Sequence, residues 1–387
     1  MANTNVRAGR YLKQPQGYRA FVPSPLPPKS PPLVFDRELL ELLSEADRAL
    51  ARLDGVGSIL PNPNLFVGTY VRHEAVLSSQ IEGTQSTLED IFEYEVGEKG
   101  LALPQDVEEV VNYVRALNTG LRRLGELPLS LRLIREIHAT LMDGVRGANR
   151  DPGEFRRTQN WIGPPNCTLM DATFVPPPVP EMHECLDRFE RFLHDRKSFP
   201  PLIHCGLAHA QFETIHPFLD GNGRVGRLLI TFLLCERDIL KLPLLYLSVY
   251  LKSHRAEYYD RLTAIRDRGD WEGWLKFFLR GVEEVSRAAT TTAREILLMR
   301  ERYRQDLSTN ANAVRLLDYA FQQPIFNVQL ASQRLGCAYV TAANTIEFLV
   351  KKGVLREATG RKRFRFFRFD ALLSLFRQEI PAHGGPT

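Results

Sequence analysis

The segment HPFLDGNGRVGRLL, His216 to Leu229, places one histidine, one carboxylate, three glycines and two arginines within its first twelve residues. Its loop, Phe218 to Gly223, leads into a helical run, and a helix N-terminus offers unpaired N–H groups and partial positive charge to an anion. Gly221 and Gly223 carry no Cβ and let the backbone approach that anion closely. Arg224 and Arg227 are three apart, so both fall on one face of the first helical turn and can reach further phosphate oxygens. Asp220 would be repelled by phosphates unless a cation lay between them, and Mg²⁺ shared by one carboxylate and a polyphosphate is a common solution. His216, with an ordinary pKa of about 6.5, can take a proton from a hydroxyl near neutrality. These parts describe a site that binds a nucleoside polyphosphate and activates a nucleophile beside it.

Competing motifs are weaker. GNGRVG, Gly221 to Gly226, matches the dinucleotide fingerprint GxGxxG, but a helix precedes it where a strand is required. No GK[ST] loop occurs. The dipeptide His194-Asp195 hints at a metal phosphohydrolase, but it lies in a polar helix end without further matched histidines.

The elements that must position the loop read as helices. Ile203, Leu207 and Ala210 draw a stripe that stops at His216, because a residue before proline is pushed out of the right-handed helical region. A helix C-terminus favours imidazolium, so the site must offset that preference if His216 is a base. Val107, Val110, Val111, Val114, Leu117 and Leu121 draw a second stripe. Ser130 is the expected N-cap of LRLIREIHATLMDG and Gly144 its expected stop. Residues 144–180 are rich in Gly and Pro without periodicity, a long loop of the kind that carries function or a crossover. The proline-rich arm, residues 1–35, is expected to be extended and to pack on its own domain, because Tyr18, Phe21 and Phe35 need cover.

The 387 residues suit two or three domains; 44% hydrophobic and 25% charged residues describe an ordinary folded chain, and a net charge of +4 does not by itself imply a nucleic-acid binder. Five cysteines without a CxxC pair argue against a disulfide framework or zinc ribbon. With no signal-like apolar stretch at the start and no run of about 18 apolar residues, the expectation is a cytoplasmic protein without a membrane span.

The signature resembles that of the Fic (filamentation induced by cAMP) family, HxFx[DE]GNGRxxR, through His216, Phe218, Asp220, Gly221, Asn222, Gly223, Arg224 and Arg227. Upstream, GEFRRTQNWIG and FVPPPVP resemble the family's flap, which holds a target peptide, and Tyr258-Tyr259 resembles its tyrosine pair beside the nucleotide base. The resemblance covers roughly residues 60–285. It implies transfer of AMP from ATP to a Ser, Thr or Tyr hydroxyl of a target protein. His216 would be the base and Asp220 the Mg²⁺ ligand. Gly221, Asn222 and Gly223 would form the anion hole, and Arg224 and Arg227 the phosphate grip. Val225, Gly226, Tyr258 and Tyr259 would complete the ATP site. SSQIEG, Ser78 to Gly83, matches the family's inhibitory helix motif [ST]xxxE[GN]. Glu82 would hold Arg227 by competition for its guanidinium, with Ser78 on the same helix face and Gly83 ending the helix.

The implied fold is mainly α: a Fic-type helical core with a short β-hairpin flap, followed by a winged helix-turn-helix. The expected divisions are 1–60, arm and first helix; 61–305, catalytic domain; and 306–387, the winged helix. In the last, NAVRLLDYAFQQ, VQLASQRLG and AYVTAANTIEFLVKKG read as helices, and VLREATGRKRFRFFRF as two strands about Gly360. Eight basic residues and one acid between Lys351 and Arg368 suit DNA contact, with Thr341 and Asn344 exposed. The same pattern suits an alternating strand with arginines in water, and dimerisation or target docking are alternatives. Two other functions stay open: removal of AMP using Glu82 to position water, and a DNA-binding regulator controlled by self-modification.

Overall fold

A computed structural model describes residues 7–59, 64–97, 103–145, 150–360 and 365–377. The proline-rich arm carries a feature that sequence reading did not anticipate, an antiparallel pair of β1 (Gly9–Lys13) and β2 (Arg19–Pro23). As expected, it packs on its own chain: Phe21 is buried, and its N–H donates to the Val175 carbonyl. Phe35 stacks on Phe199 at 6.3 Å.

Helices follow in the order α1 (Arg37–Ile59), α2 (Asn64–Ile81), α3 (Leu88–Val96), α4 (Val107–Leu124) and α5 (Leu131–Leu141). In α4 the predicted stripe is buried from Val107 to Leu117, with Leu121 half-buried. Ser130 caps α5 by accepting the Leu133 N–H. That helix ends at Leu141, earlier than the predicted stop at Gly144, although Gly144 does take a left-handed φ of 65°.

After the long loop come α6 (Val179–Leu193), α7 (Pro201–Ile215), α8 (Asn222–Glu236), α9 (Ser248–Ser253), α10 (Arg255–Arg268) and the long α11 (Trp271–Asp306). The predicted stripe on α7 understates it: every residue from Leu202 to Ile215 is buried. It is the central pillar, contacted by α1, α6, α8, α11 and β2. Helix α1, expected to stand with the arm, lies along α11 and buries Leu39, Leu43, Ala46, Leu50 and Leu53.

The C-terminal part contains α12 (Ala311–Gln322), β3 (Ile325–Asn327), α13 (Val328–Leu335), α14 (Tyr339–Lys351), β4 (Arg356–Glu357), β5 (Phe366–Arg368) and α15 (Asp370–Ser374). The strands form an antiparallel sheet of order β3-β5-β4. The predicted pair about Gly360 corresponds to β4 and β5; β3 was not foreseen, and residues 361–364 lie outside the described residues. This part rests on α2 and α3: the Phe376 ring meets Tyr70 and His73, and Glu89 accepts from Arg368 and Arg377. Among the described residues no helix is long and apolar enough to cross a membrane.

Candidate active site

His216 ends α7 in a left-handed conformation, φ 49° and ψ 61°, with its N–H on the Phe212 carbonyl. The rule before proline excluded the right-handed helix; the chain takes the left-handed turn, an uncommon choice for a residue with a Cβ. The ring Nδ1 lies 3.3 Å from the Glu213 carbonyl, a contact only an Nδ1–H can make as a hydrogen bond, which leaves the Nε2 lone pair free. Burial pushes the imidazole down to about 4, and Arg156 adds to that effect. The helix-end preference for imidazolium is therefore overcome, and His216 is neutral at pH 7.

The loop that follows is closed by Asn222, whose Oδ1 accepts the Phe218 N–H at 2.9 Å and whose Nδ2 donates to the Phe218 carbonyl at 2.8 Å. Gly221 turns into α8 with φ 76°, and the first bond of the helix runs from the Val225 N–H to the Gly221 carbonyl. The amides of Asn222, Gly223 and Arg224 precede that bond, as an anion cradle requires. Asp220 Oδ1 accepts the Gly221 N–H at 2.7 Å, and Oδ2 lies 3.9 Å from Arg150. Glu82, His216, Leu219, Asp220, Gly221, Asn222, Gly223 and Arg224 line a cavity of about 110 Å³, below the roughly 300–1,000 Å³ of ordinary ligand pockets.

Glu82 fills part of that space. Arg227 donates from Nη2 to Glu82 Oε1 at 2.7 Å, from Nε to Ser78 Oγ at 2.7 Å, and from Nη2 to the Ser78 carbonyl at 3.0 Å. Burial works to raise the Glu82 carboxyl, but the guanidinium outweighs it and holds the group below the usual carboxylate range. Gly83, at φ 100°, follows the end of α2.

Residues 40–122 match the Fic/DOC family N-terminal model, and residues 128–234, which contain this cradle, match the Fic/DOC family model. Residues 128–234 form a Fic/DOC domain. A protein adenylyltransferase Fic of Culex quinquefasciatus is 34% identical over 155 residues, 38% of this chain and 27% of that protein. Its counterpart in Aedes aegypti is 33% identical over the same shares. This chain thus spans about a quarter of the length of these relatives. A Fic family protein from Desulfovibrio desulfuricans G20 has a similar fold, with TM-score 0.58 and 20% identity over 88% of this chain and 98% of its own.

The residues expected to contact the nucleotide take different places in the structure. Tyr258 is 1% exposed, and its hydroxyl pairs with His209 Nε2 at 2.9 Å; it is a core residue, whereas Tyr259 is exposed. Val225 is fully buried. Gly226 packs against α7, where an added Cβ would meet Glu213 Oε1 at 2.2 Å, and its carbonyl faces His209. Arg224 lines the cavity but is nearly buried, paired with Glu109 at 3.3 Å. The flap's hairpin reduces to one antiparallel bridge between Ile162 and Phe174, with Trp161 and Ile162 exposed. His194 bonds the Leu129 carbonyl, a structural role.

Two supports of the Fic/DOC cradle were missed in the sequence. His138 Nδ1 accepts the Gly153 N–H at 2.8 Å, which puts its proton on Nε2, 3.0 Å from the Asp220 carbonyl. Its ring stacks on Phe218 at 3.7 Å. Glu109 is the second. A histidine and a carboxylate on otherwise apolar helix faces were the available signals.

Proposed function

We infer that this chain transfers AMP from ATP to a hydroxyl of a target protein and is held inactive by Glu82. The observation that carries this reading is the Arg227–Glu82 pair set beside a neutral His216 and the α8 N-terminus. His216 Nε2 would take the proton of the target hydroxyl as its oxygen attacks the α-phosphate and pyrophosphate leaves. The unbonded amides of Asn222, Gly223 and Arg224 would receive phosphate oxygens, and Arg227 would grip the outer phosphates once Glu82 releases it. Asp220 is a suitable Mg²⁺ ligand, because that ion binds through one or two carboxylates together with substrate phosphates; it would supply charge neutralisation on the phosphates. The names of the two insect relatives support the reaction class.

The test is transfer of labelled AMP by wild type and Glu82→Gly, to lysate proteins and to the chain itself. Strong labelling by the variant alone is expected. Equal labelling removes the inhibition, and none in either removes the activity. A second reading, hydrolysis of AMP from a modified protein with Glu82 orienting water, is favoured by Glu82 lining the same cavity as His216. It predicts that wild type strips label from a protein modified by Glu82→Gly.

The C-terminal part is read as a winged helix-turn-helix. Tyr339, Val340, Thr341 and Asn344 on α14 are exposed and suit a partner contact. Three of the eight basic residues, Arg356, Arg365 and Arg368, are engaged by Asp370, Glu347 and Glu89, which weakens the case for a free basic wing.

A further inference from the structure

We propose that Arg156, with Asn160, is the positioning group that holds His216 in its left-handed turn; this rests on the reading of His216 as the base.

The turn at the end of α7 keeps the bond of its own left-handed residue, from the His216 N–H to the Phe212 carbonyl, but lacks a second one. In the Schellman form of such a cap the N–H of the following residue supplies that second bond. Here that residue is Pro217, which has no N–H. The loop from Gly153 onward supplies donors to three successive carbonyls of the same turn. Arg156 Nε donates to the His216 carbonyl at 3.1 Å, and the Arg156 N–H to the Pro217 carbonyl at 2.9 Å. Asn160 Nδ2 donates to the carbonyls of His216 at 3.2 Å and Phe218 at 2.8 Å. The far side of the guanidinium is anchored to the carbonyls of Thr158, at 3.3 Å, and Pro177, at 2.5 Å.

Arg156 is 0% exposed, and among the described residues no carboxylate pairs with it. A buried guanidinium without a counter-ion is costly, so its retention calls for a return. Burial lowers it only to about 10, so it remains cationic at neutral pH. Around the His216 ring stand Arg156, Arg266 from α10, Glu213 on α7 itself and Glu82 beyond α2. The two arginines oppose imidazolium; Glu82 and the Glu213 carbonyl favour it. Arg156 thus couples the backbone posture of the histidine to its charge.

The experiment uses full-length protein in the Glu82→Gly background, with His-labelled NMR titration of the His216 ring, assigned by its loss in His216→Ala, and labelled-AMP kinetics against pH. Arg156→Gln removes the charge. The His216 titration should move up by about one unit, and the acid limb of kcat/KM should move with it. Arg156→Lys keeps the charge but not the fork: kcat should fall at least tenfold with KM for ATP and the titration unchanged. Asn160→Ala, a milder change that serves if the arginine variants fail to fold, should lower kcat without moving the titration. An unmoved titration and pH profile in Arg156→Gln, or unchanged kcat in Arg156→Lys and Asn160→Ala, overturns the proposal. Full labelling by His216→Ala instead overturns the reading of the base, and the titration remains readable in either event.

Discussion

The Glu82 carboxylate lies against Gly223: a Cβ at that position would stand 2.2 Å from Glu82 Oε1 and 3.0 Å from Arg227 Nη1. The glycine that would let a phosphate approach the first turn of α8 also lets this carboxylate in. Glu82 therefore faces two parts of the cradle at once, the guanidinium of Arg227 and the helix end to which anions are drawn.

Ser78 shares the hold on Arg227. Ser78→Ala removes the Nε acceptor but leaves the Glu82 pair and the Ser78 carbonyl in place. Labelling activity should rise about tenfold over wild type, the scale of one charge-assisted hydrogen bond, and less than in Glu82→Gly. Labelling at the wild-type level would show that Glu82 suffices alone.

The adjacent tyrosines should separate cleanly. Tyr258→Phe loses one buried hydrogen bond, to His209, and should cost about 1 kcal/mol of stability with ATP affinity unchanged. Tyr259→Ala should weaken ATP binding, measured by calorimetry on the Glu82→Gly protein. The reverse order would return Tyr258 to the nucleotide site.

Acid should destabilise the fold. His73, His138, His204, His209 and His216 are each pushed down to about 4 by burial. Their stabilisation is complete above the unfolded value of about 6.5 and is lost as pH falls from there toward 4. Glu74 and Glu213, raised to about 7 by burial, act with the opposite sign between about 4.5 and 7. Five groups outnumber two, so Tm should be lower at pH 5 than at pH 7; a higher Tm at pH 5 would contradict the balance.

Helices α4 and α8 meet at Gly120, where an added Cβ would lie 2.3 Å from the buried ring of Phe232. Gly120→Ala should destabilise the protein by about 1–3 kcal/mol, as overpacking does. A shifted urea midpoint with unchanged slope would register it.

What was legible in the sequence was contiguous. His216 to Arg227 can be read because its chemistry lies within one turn of loop and one turn of helix. The α4 stripe and the Ser130 cap follow from local rules. Arg156, Asn160, His138 and Glu109 reach the loop from other elements, and no local period marks them. The core role of Tyr258 was hidden because its partner, His209, lies on a different helix. Helix α7 read as one striped face because periodicity describes a helix with a wet side, and this one has none.

That enclosure separates two kinds of change. A substitution near His216 must pass through the most crowded part of the molecule, where almost any alteration also disturbs folding. Glu82 stands just past the end of α2 with its side chain 36% exposed, followed by a glycine turn. A variant there would alter the proposed restraint while the interior stays as it was. On the proposed reading, activity and its control would therefore be open to adjustment on different terms: the first is tied to the integrity of the whole chain, the second to a single outward-facing turn.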